Sequence, residues 1–290
     1  MNMETLVQSV VSGVLTGSLY AMIAIGLTIV FGVMRIINLA HGEMVMLGMF
    51  GAYWSYTLWG IDPFVSILIW SPLMFLVGMA IHRFLLRDVI PKGELNTLLY
   101  TAGLSLFVAN LALFFWTGDY RTLNLPYAQW PVRPFGIAVP IALAIAFCMA
   151  IAITTALYLL LSRTDIGRAI RATAQNSQSA ALMGVNVKRI DTITFGVGTA
   201  LAAAAGVLLV PSLYLYPTVG EILITKCFVI VVLGGLGSVP GAIAGAILLG
   251  LVESLGAVYV SVAYKDTIGF VLFLLVLLFR PSGLFGVGRS

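Results

Sequence analysis

Long apolar runs separated by short polar breaks dominate the chain, and most of them are long enough to cross about 30 Å of hydrocarbon as helices. Nine candidate spans can be drawn, at residues 6–31, 38–59, 63–84, 95–116, 139–161, 191–215, 222–234, 241–260 and 266–280. The seventh is too short to cross alone at about 1.5 Å per residue. It runs into VVLGGLGSVPGAIAGAILLG, where Gly234, Gly235, Gly237 and Pro240 break any helix, with Gly241 just beyond. Residues 222–241 therefore read as a half-helix and turn buried against other helices, because irregular backbone inside a bilayer must be shielded from lipid. Joining residues 222–250 into one bent span gives eight crossings instead. FGVMRIINLAHGEMVMLGMFGAY, residues 31–53, has the same look: a polar break, then glycines at helical spacing. Two interrupted segments, one in each half, predict a lined pathway, with Asn38, His41 and Glu43 at the first break and Gly234, Gly235, Gly237 and Gly241 at the second.

The largest polar island is RTDIGRAIRATAQNSQSAALMGVNVKRI, residues 163–190. Asp165, after Thr164, is placed to cap a short helix with Ile166, Ala169, Ile170 and Thr173 on one face and Arg168, Arg171 and Gln175 on another. Asn176 or Ser177 starts a second short helix, Gly184 is its expected C-cap, and Asn186 introduces the next span. Connections between packed helices seldom exceed about 8 residues, so a segment this long with its own helical pattern does more than connect. An apolar face of Ile166, Ile170, Ala180, Ala181, Leu182 and Met183, exposed to water, fits a groove on a partner protein. The other long break, residues 117–139, is rich in Pro126, Pro131 and Pro134, with Tyr120, Tyr127 and Trp130 suited to the headgroup level.

Composition agrees with a membrane chain: 61% of residues are hydrophobic and 9% charged, against about 45–50% and 25% in soluble domains. The N-terminus lacks the basic region and cleavage site of a removable signal, so the first run is expected to stay as a span. A net charge of +4 is no nucleic-acid signal here; what matters is where the basic residues fall. With the N-terminus outside and nine crossings, Arg35, Arg83, Arg87, Lys92, Arg163, Arg168, Arg171, Lys188, Arg189, Arg280 and Arg289 lie on the cytoplasmic side. Arg121, Arg133, Lys226 and Lys265 are left outside, an eleven to four division of the 15 basic residues. Eight crossings divide them ten to five, so nine is favoured, narrowly.

Catalytic signatures are missing. The chain has no Gly-Lys pair, hence no phosphate-cradling loop, and cannot energise itself with ATP. His41-Gly42-Glu43 only approaches HExxH, His82 stands elsewhere, and Cys148 and Cys227 have no ligand spacing. Glu43 and Glu253 are the main intramembrane acids, each close enough to a span end to reach polar surroundings. Interiors rich in Gly, Ala and Met, such as LAAAAG at 201–206, suit closely packed helices that rearrange. From the residues alone, a gated conduit driven by another protein competes with a stand-alone secondary carrier or channel.

Four ordered blocks decide between them: GLTIVFGVMRIINLAHGEMVMLG, IGRAIRATAQNSQSAALMGVNVKRI, VVLGGLGSVPGAIAGAILLGLVE and YKDTIGFVLFLLVLLFRPSGLFG. Together they resemble the branched-chain amino-acid ABC importer permeases of the LivH type, over nearly the whole chain. The resemblance implies an all-α polytopic fold of about eight or nine transmembrane helices, some broken, as one permease domain over residues 1–290 in a bacterial inner membrane. The implied partners are a second homologous permease, two cytoplasmic ABC ATPases, a periplasmic solute-binding protein and an amino-acid solute. ATP and Mg would bind the ATPases, with no cofactor on this chain. Related permeases take urea, short amides or other amino acids, so the solute is the less specific part. Residues 163–190 would be the segment the ATPases grip, through Asp165, Gly167, Arg168, Arg171, Gln175, Ser179, Ala180, Ala181, Met183 and Gly184. Many such permeases carry Glu-Ala-Ala, a Gly and then Leu-Pro there. Here Ser179-Ala180-Ala181 and Gly184 stand without the Glu or the Leu-Pro, leaving Arg168 and Arg171 to make the polar contacts.

Overall fold

A computed structural model describes residues 3–128, 130–133, 137–280 and 282–285; Pro134 and Arg289 lie outside the described residues. The helices are α1 (Met3–Met34), α2 (His41–Trp59), α3 (Pro63–Ile81), α4 (Glu94–Trp116), α5 (Ile141–Arg163), α6 (Asp165–Gln175), α7 (Ser177–Leu182), α8 (Val187–Leu209), α9 (Val219–Gly234), α10 (Val239–Tyr259) and α11 (Lys265–Phe279). α1 starts at what we term the near face and ends at the far face. A two-residue antiparallel ladder, β1 (Pro131–Val132) with β2 (Val139–Pro140), lies in the near-face connection between α4 and α5.

α1 and α8 form the centre, and most of their apolar residues are buried. α10 packs antiparallel on α1, so closely that a Cβ on Gly17 would lie 2.8 Å from the Ala246 carbonyl oxygen. Small residues thus replace the knobs of a soluble core, as expected where lipid gives helices no hydrophobic reason to associate. α4 and α11 turn Leu106, Phe107, Phe114, Leu274 and Leu278 outward. Such rims are stable only against hydrocarbon or another protein.

All nine predicted spans are helical. Seven helical stretches are long and apolar enough to cross a membrane: Met3–Met34, Pro63–Leu86, Glu94–Trp116, Ile141–Arg163, Val187–Leu209, Val239–Tyr259 and Val262–Phe279. α2 and α9 are the two others, and they are the interrupted segments. The eight-crossing alternative fails because α9 and α10 are not one bent span. Gly234 packs on Gly241 and Gly245 on Ile230, so the helices fold back on each other. The turn between them needs φ of 102° at Gly235 and 85° at Gly237, which glycine adopts without strain.

The near-face connections are tied together. Arg121 and Leu215 exchange backbone hydrogen bonds of 2.8 Å, and the Arg121 guanidinium lies 5.2 Å from the Trp54 ring centre. The Tyr127 hydroxyl donates to Asp62, and burial, followed by that carboxylate, holds the Tyr127 phenol well above its usual range. It therefore stays protonated as a donor.

Candidate functional site

The first break is held by a side chain of α4 and a backbone carbonyl of α1. The Thr101 hydroxyl donates to the Ile37 carbonyl at 3.2 Å and accepts from the Leu39 amide at 3.3 Å. Asn38 accepts from the Ala40 amide at 3.1 Å. The His41 Nε2 lies 3.0 Å from the Ile23 carbonyl oxygen, which can only accept, so Nε2 carries the proton. Ile23 precedes the end of α1 at Met34 by three turns, so even allowing for the imidazole's reach α2 begins on the order of 10 Å inside the bundle.

α9 also begins inside, and the two N-termini meet. A Cβ on Gly42 would lie 2.1 Å from the Gly220 carbonyl oxygen, and one on Gly220 would lie 2.7 Å from the Glu43 carboxylate. No side chain fits at Gly42, and one at Gly220 would have to push the Glu43 carboxylate aside. Glu43 is fully buried; its Oε1 accepts from the Ser105 hydroxyl at 3.2 Å, and Ser105 is the middle residue of α4. Its Oε2 has no hydrogen-bond partner among the described residues. Two helix N-termini place their positive ends around one carboxylate. This is the arrangement by which discontinuous helices hold charge inside a membrane.

Of the residues expected to line a pathway, the structure gathers Asn38, His41 and Glu43 at this junction, with Asn38 and His41 turned into the bundle. Gly234, Gly235, Gly237 and Gly241 are not there. They form the α9–α10 turn, with Gly237 beside Gly32 near the far end of α1. The part of α9 that meets the first break is its opposite end, at Gly220.

The second polar place is the α6–α7 pair at the far face. Thr164, rather than Asp165, caps α6, accepting from the Gly167 amide at 3.0 Å; Asp165 is the first helical residue and pairs with Arg168. Asn176 caps α7 and Asn186 caps α8, and Gly184 ends α7 with φ of 89°. Gly167 and Ala180 face inward, Gly167 against the last turn of α5. Ile170 also turns inward, packing with Val33 and Ile190, so that both it and Ala180 are buried where exposed positions were expected. Asp165, Arg168, Arg171, Gln175, Ser179, Ala181, Met183 and Gly184 are exposed, and Leu182 and Met183 protrude at 89% and 86% exposure.

A third charged group was not anticipated. Lys226, expected outside the membrane, lies in α9 and reaches Glu253 of α10 and Asp266 of α11, the latter at 2.7 Å. The Tyr20 hydroxyl donates to Glu253 at 3.2 Å. The signal available was two lone opposite charges, Lys226 and Glu253, in apolar runs, since intramembrane charges pair. Glu221 and Thr225 are exposed beside them, and Glu221 directly follows Gly220, the residue that contacts Glu43. A face with such groups borders water or protein rather than lipid. Among the described residues no three His, Cys, Asp or Glu side chains converge to hold a metal ion.

A sequence family described as "Branched-chain amino acid transport system / permease component" matches residues 9–277. The chain belongs to that family. It is 35% identical to the high-affinity branched-chain amino acid transport system permease protein LivH of Escherichia coli, covering 96% of this chain and 95% of that one. The corresponding permease protein BraD of Pseudomonas aeruginosa is 34% identical with the same coverage. A more distant similarity, 31% identity over 57% of this chain and 52% of the relative, links it to the L-arabinose transport system permease protein AraH of Escherichia coli. The chain is thus a multi-pass membrane permease.

Proposed function

We propose that the chain is the noncatalytic permease subunit of a binding-protein-dependent ABC importer, forming half of the path for branched-chain amino acids across a bacterial inner membrane. The observation that carries this reading is the meeting of α2 and α9 around Glu43, a closed constriction that only a helix rearrangement can open. With the basic residues kept inside, the near face is periplasmic, the N-terminus with it, and the far face and C-terminus are cytoplasmic. The near-face loop, residues 117–139, then meets the solute-binding protein. At the far face Leu182, Met183, Arg168 and Arg171 form the handle for two ATPases, which bind the ATP and Mg that this chain has no loop to hold. A second, homologous permease completes the path.

In mechanism, nucleotide-driven closure of the ATPases displaces α6–α7. Ile170 passes that displacement to α1 through Val33 and to α8 through Ile190. The central helices shift, the Gly42–Gly220 contact separates, and Glu43 is exposed to the path, a rigid-body switch of the kind that closely packed interfaces support. Mild-detergent purification with identification of the co-purifying subunits tests the assembly, followed by leucine flux in liposomes. Flux should require ATP, the ATPases and the binding protein. Flux by this chain alone, passive or driven by an ion gradient, would establish a stand-alone carrier and overturn the reading.

A further inference from the structure

Lys226, Glu253 and Asp266 stand at one end of a cavity of 380 Å³ between α9, α10 and α11. Small-molecule sites begin at about 300 Å³ and are mostly apolar, with a few converging polar groups. The rest of this wall includes Ile222, Val229, Leu249 and Phe270, with Glu221 and Thr225 toward the exposed side of α9. We propose that this cavity is a binding subsite for a zwitterionic α-amino acid with a branched aliphatic side chain. The inference rests on the permease reading and adds a solute contact within the membrane subunit.

The two carboxylates on Lys226 differ. Glu253 is buried and held a second time by Tyr20. Asp266 is loose: its side chain is 51% exposed, against 14% for Lys226, and it sits in the first turn of α11 with Lys226 as its sole salt-bridge partner among the described residues. An arriving zwitterion can therefore enter between Lys226 and Asp266. Its α-carboxylate takes the Asp266 position on the ammonium of Lys226, and its α-ammonium takes the freed Asp266 carboxylate. The order of charges becomes positive, negative, positive, negative, with no net charge added to a partly buried site. Each ion keeps an opposite partner, which makes the exchange affordable where desolvation is costly. The branched side chain then lies against Ile222, Val229, Leu249 and Phe270. A solute lacking the carboxylate cannot replace Asp266 on Lys226, and one lacking the ammonium leaves the displaced Asp266 without a cation, so the site selects against neutral amides.

The test is radiolabelled L-leucine binding to the whole importer complex in lipid nanodiscs, without the binding protein. Saturable binding is expected, displaced by valine and isoleucine but not by 4-methylpentanoate, which lacks the ammonium, 3-methylbutylamine, which lacks the carboxylate, or urea. Asp266→Asn should weaken binding roughly tenfold or more, the loss of a charged hydrogen-bond partner. Phe270→Trp narrows the apolar half without touching a charge and should shift preference from leucine toward valine. No saturable binding by the wild-type complex, unchanged affinity in Asp266→Asn, or unchanged selectivity in Phe270→Trp each overturns the subsite. Those results leave the permease reading standing, whereas failure of the chain to co-purify with ATPases strikes that reading itself.

Discussion

The α2–α9 junction and the α6–α7 pair are both polar interruptions in an apolar chain, yet they solve opposite problems. At the junction a carboxylate is sealed beneath two helix N-termini, with Gly42 too tight against the Gly220 backbone for any side chain. At the far face the helices are solvated, and two large apolar side chains, Leu182 and Met183, stand nearly free in water. Burying a polar group and exposing an apolar one both cost free energy. On the proposed importer reading, each cost is tolerated where the region must change its surroundings during work: the junction when it opens, the pair when a partner covers it.

Several substitutions would separate the two regions. The largest effect is expected from Arg168→Glu with Arg171→Glu: uptake of labelled leucine by the assembled importer should be abolished while the chain stays in the membrane. Retained uptake with normal ATPase co-purification would remove α6–α7 from the coupling role. Gly42→Val should come next, because its side chain has no room beside Gly220. Overpacking of this kind costs about 1–3 kcal/mol or more, read as a lower midpoint of thermal unfolding in detergent and a fall in uptake. Glu43→Gln keeps the shape and removes the charge, so the fold should survive while uptake falls roughly tenfold, equivalent to about 1.4 kcal/mol. Normal uptake across the working pH range would show that the charge is idle. Smallest of all, Thr164→Ala deletes the α6 cap for about 1 kcal/mol, which faster amide exchange in the first turn of α6 would register with little change in transport.

Much of this was readable before the structure. The nine helical segments follow from hydropathy, and the caps at Asn176, Asn186 and Gly184 from local chemistry, because both depend on near neighbours in sequence. Assigning Ile170 to the exposed face failed for a different reason. A helical period defines an apolar stripe but not which neighbour covers it, and Val33 and Ile190 are distant in sequence. The same limit hid Gly220, an unremarkable glycine until Gly42 and Glu43 are brought to it, and it separated Lys226 from Glu253. Urea and short amides, the other solutes considered, have no structural feature in their favour, and the relatives with high coverage are named for branched-chain amino acids.

Ile170 sets the mechanical character of the molecule. It is 3% exposed and packs with Val33 and Ile190, so the proposed handle is bolted to the two central helices rather than hung from a flexible strap. A linkage with so little slack transmits stroke rather than absorbing it. Trimming Ile170 to alanine should then uncouple fuel from cargo: ATP would still be consumed, and fewer solute molecules would cross for each one spent.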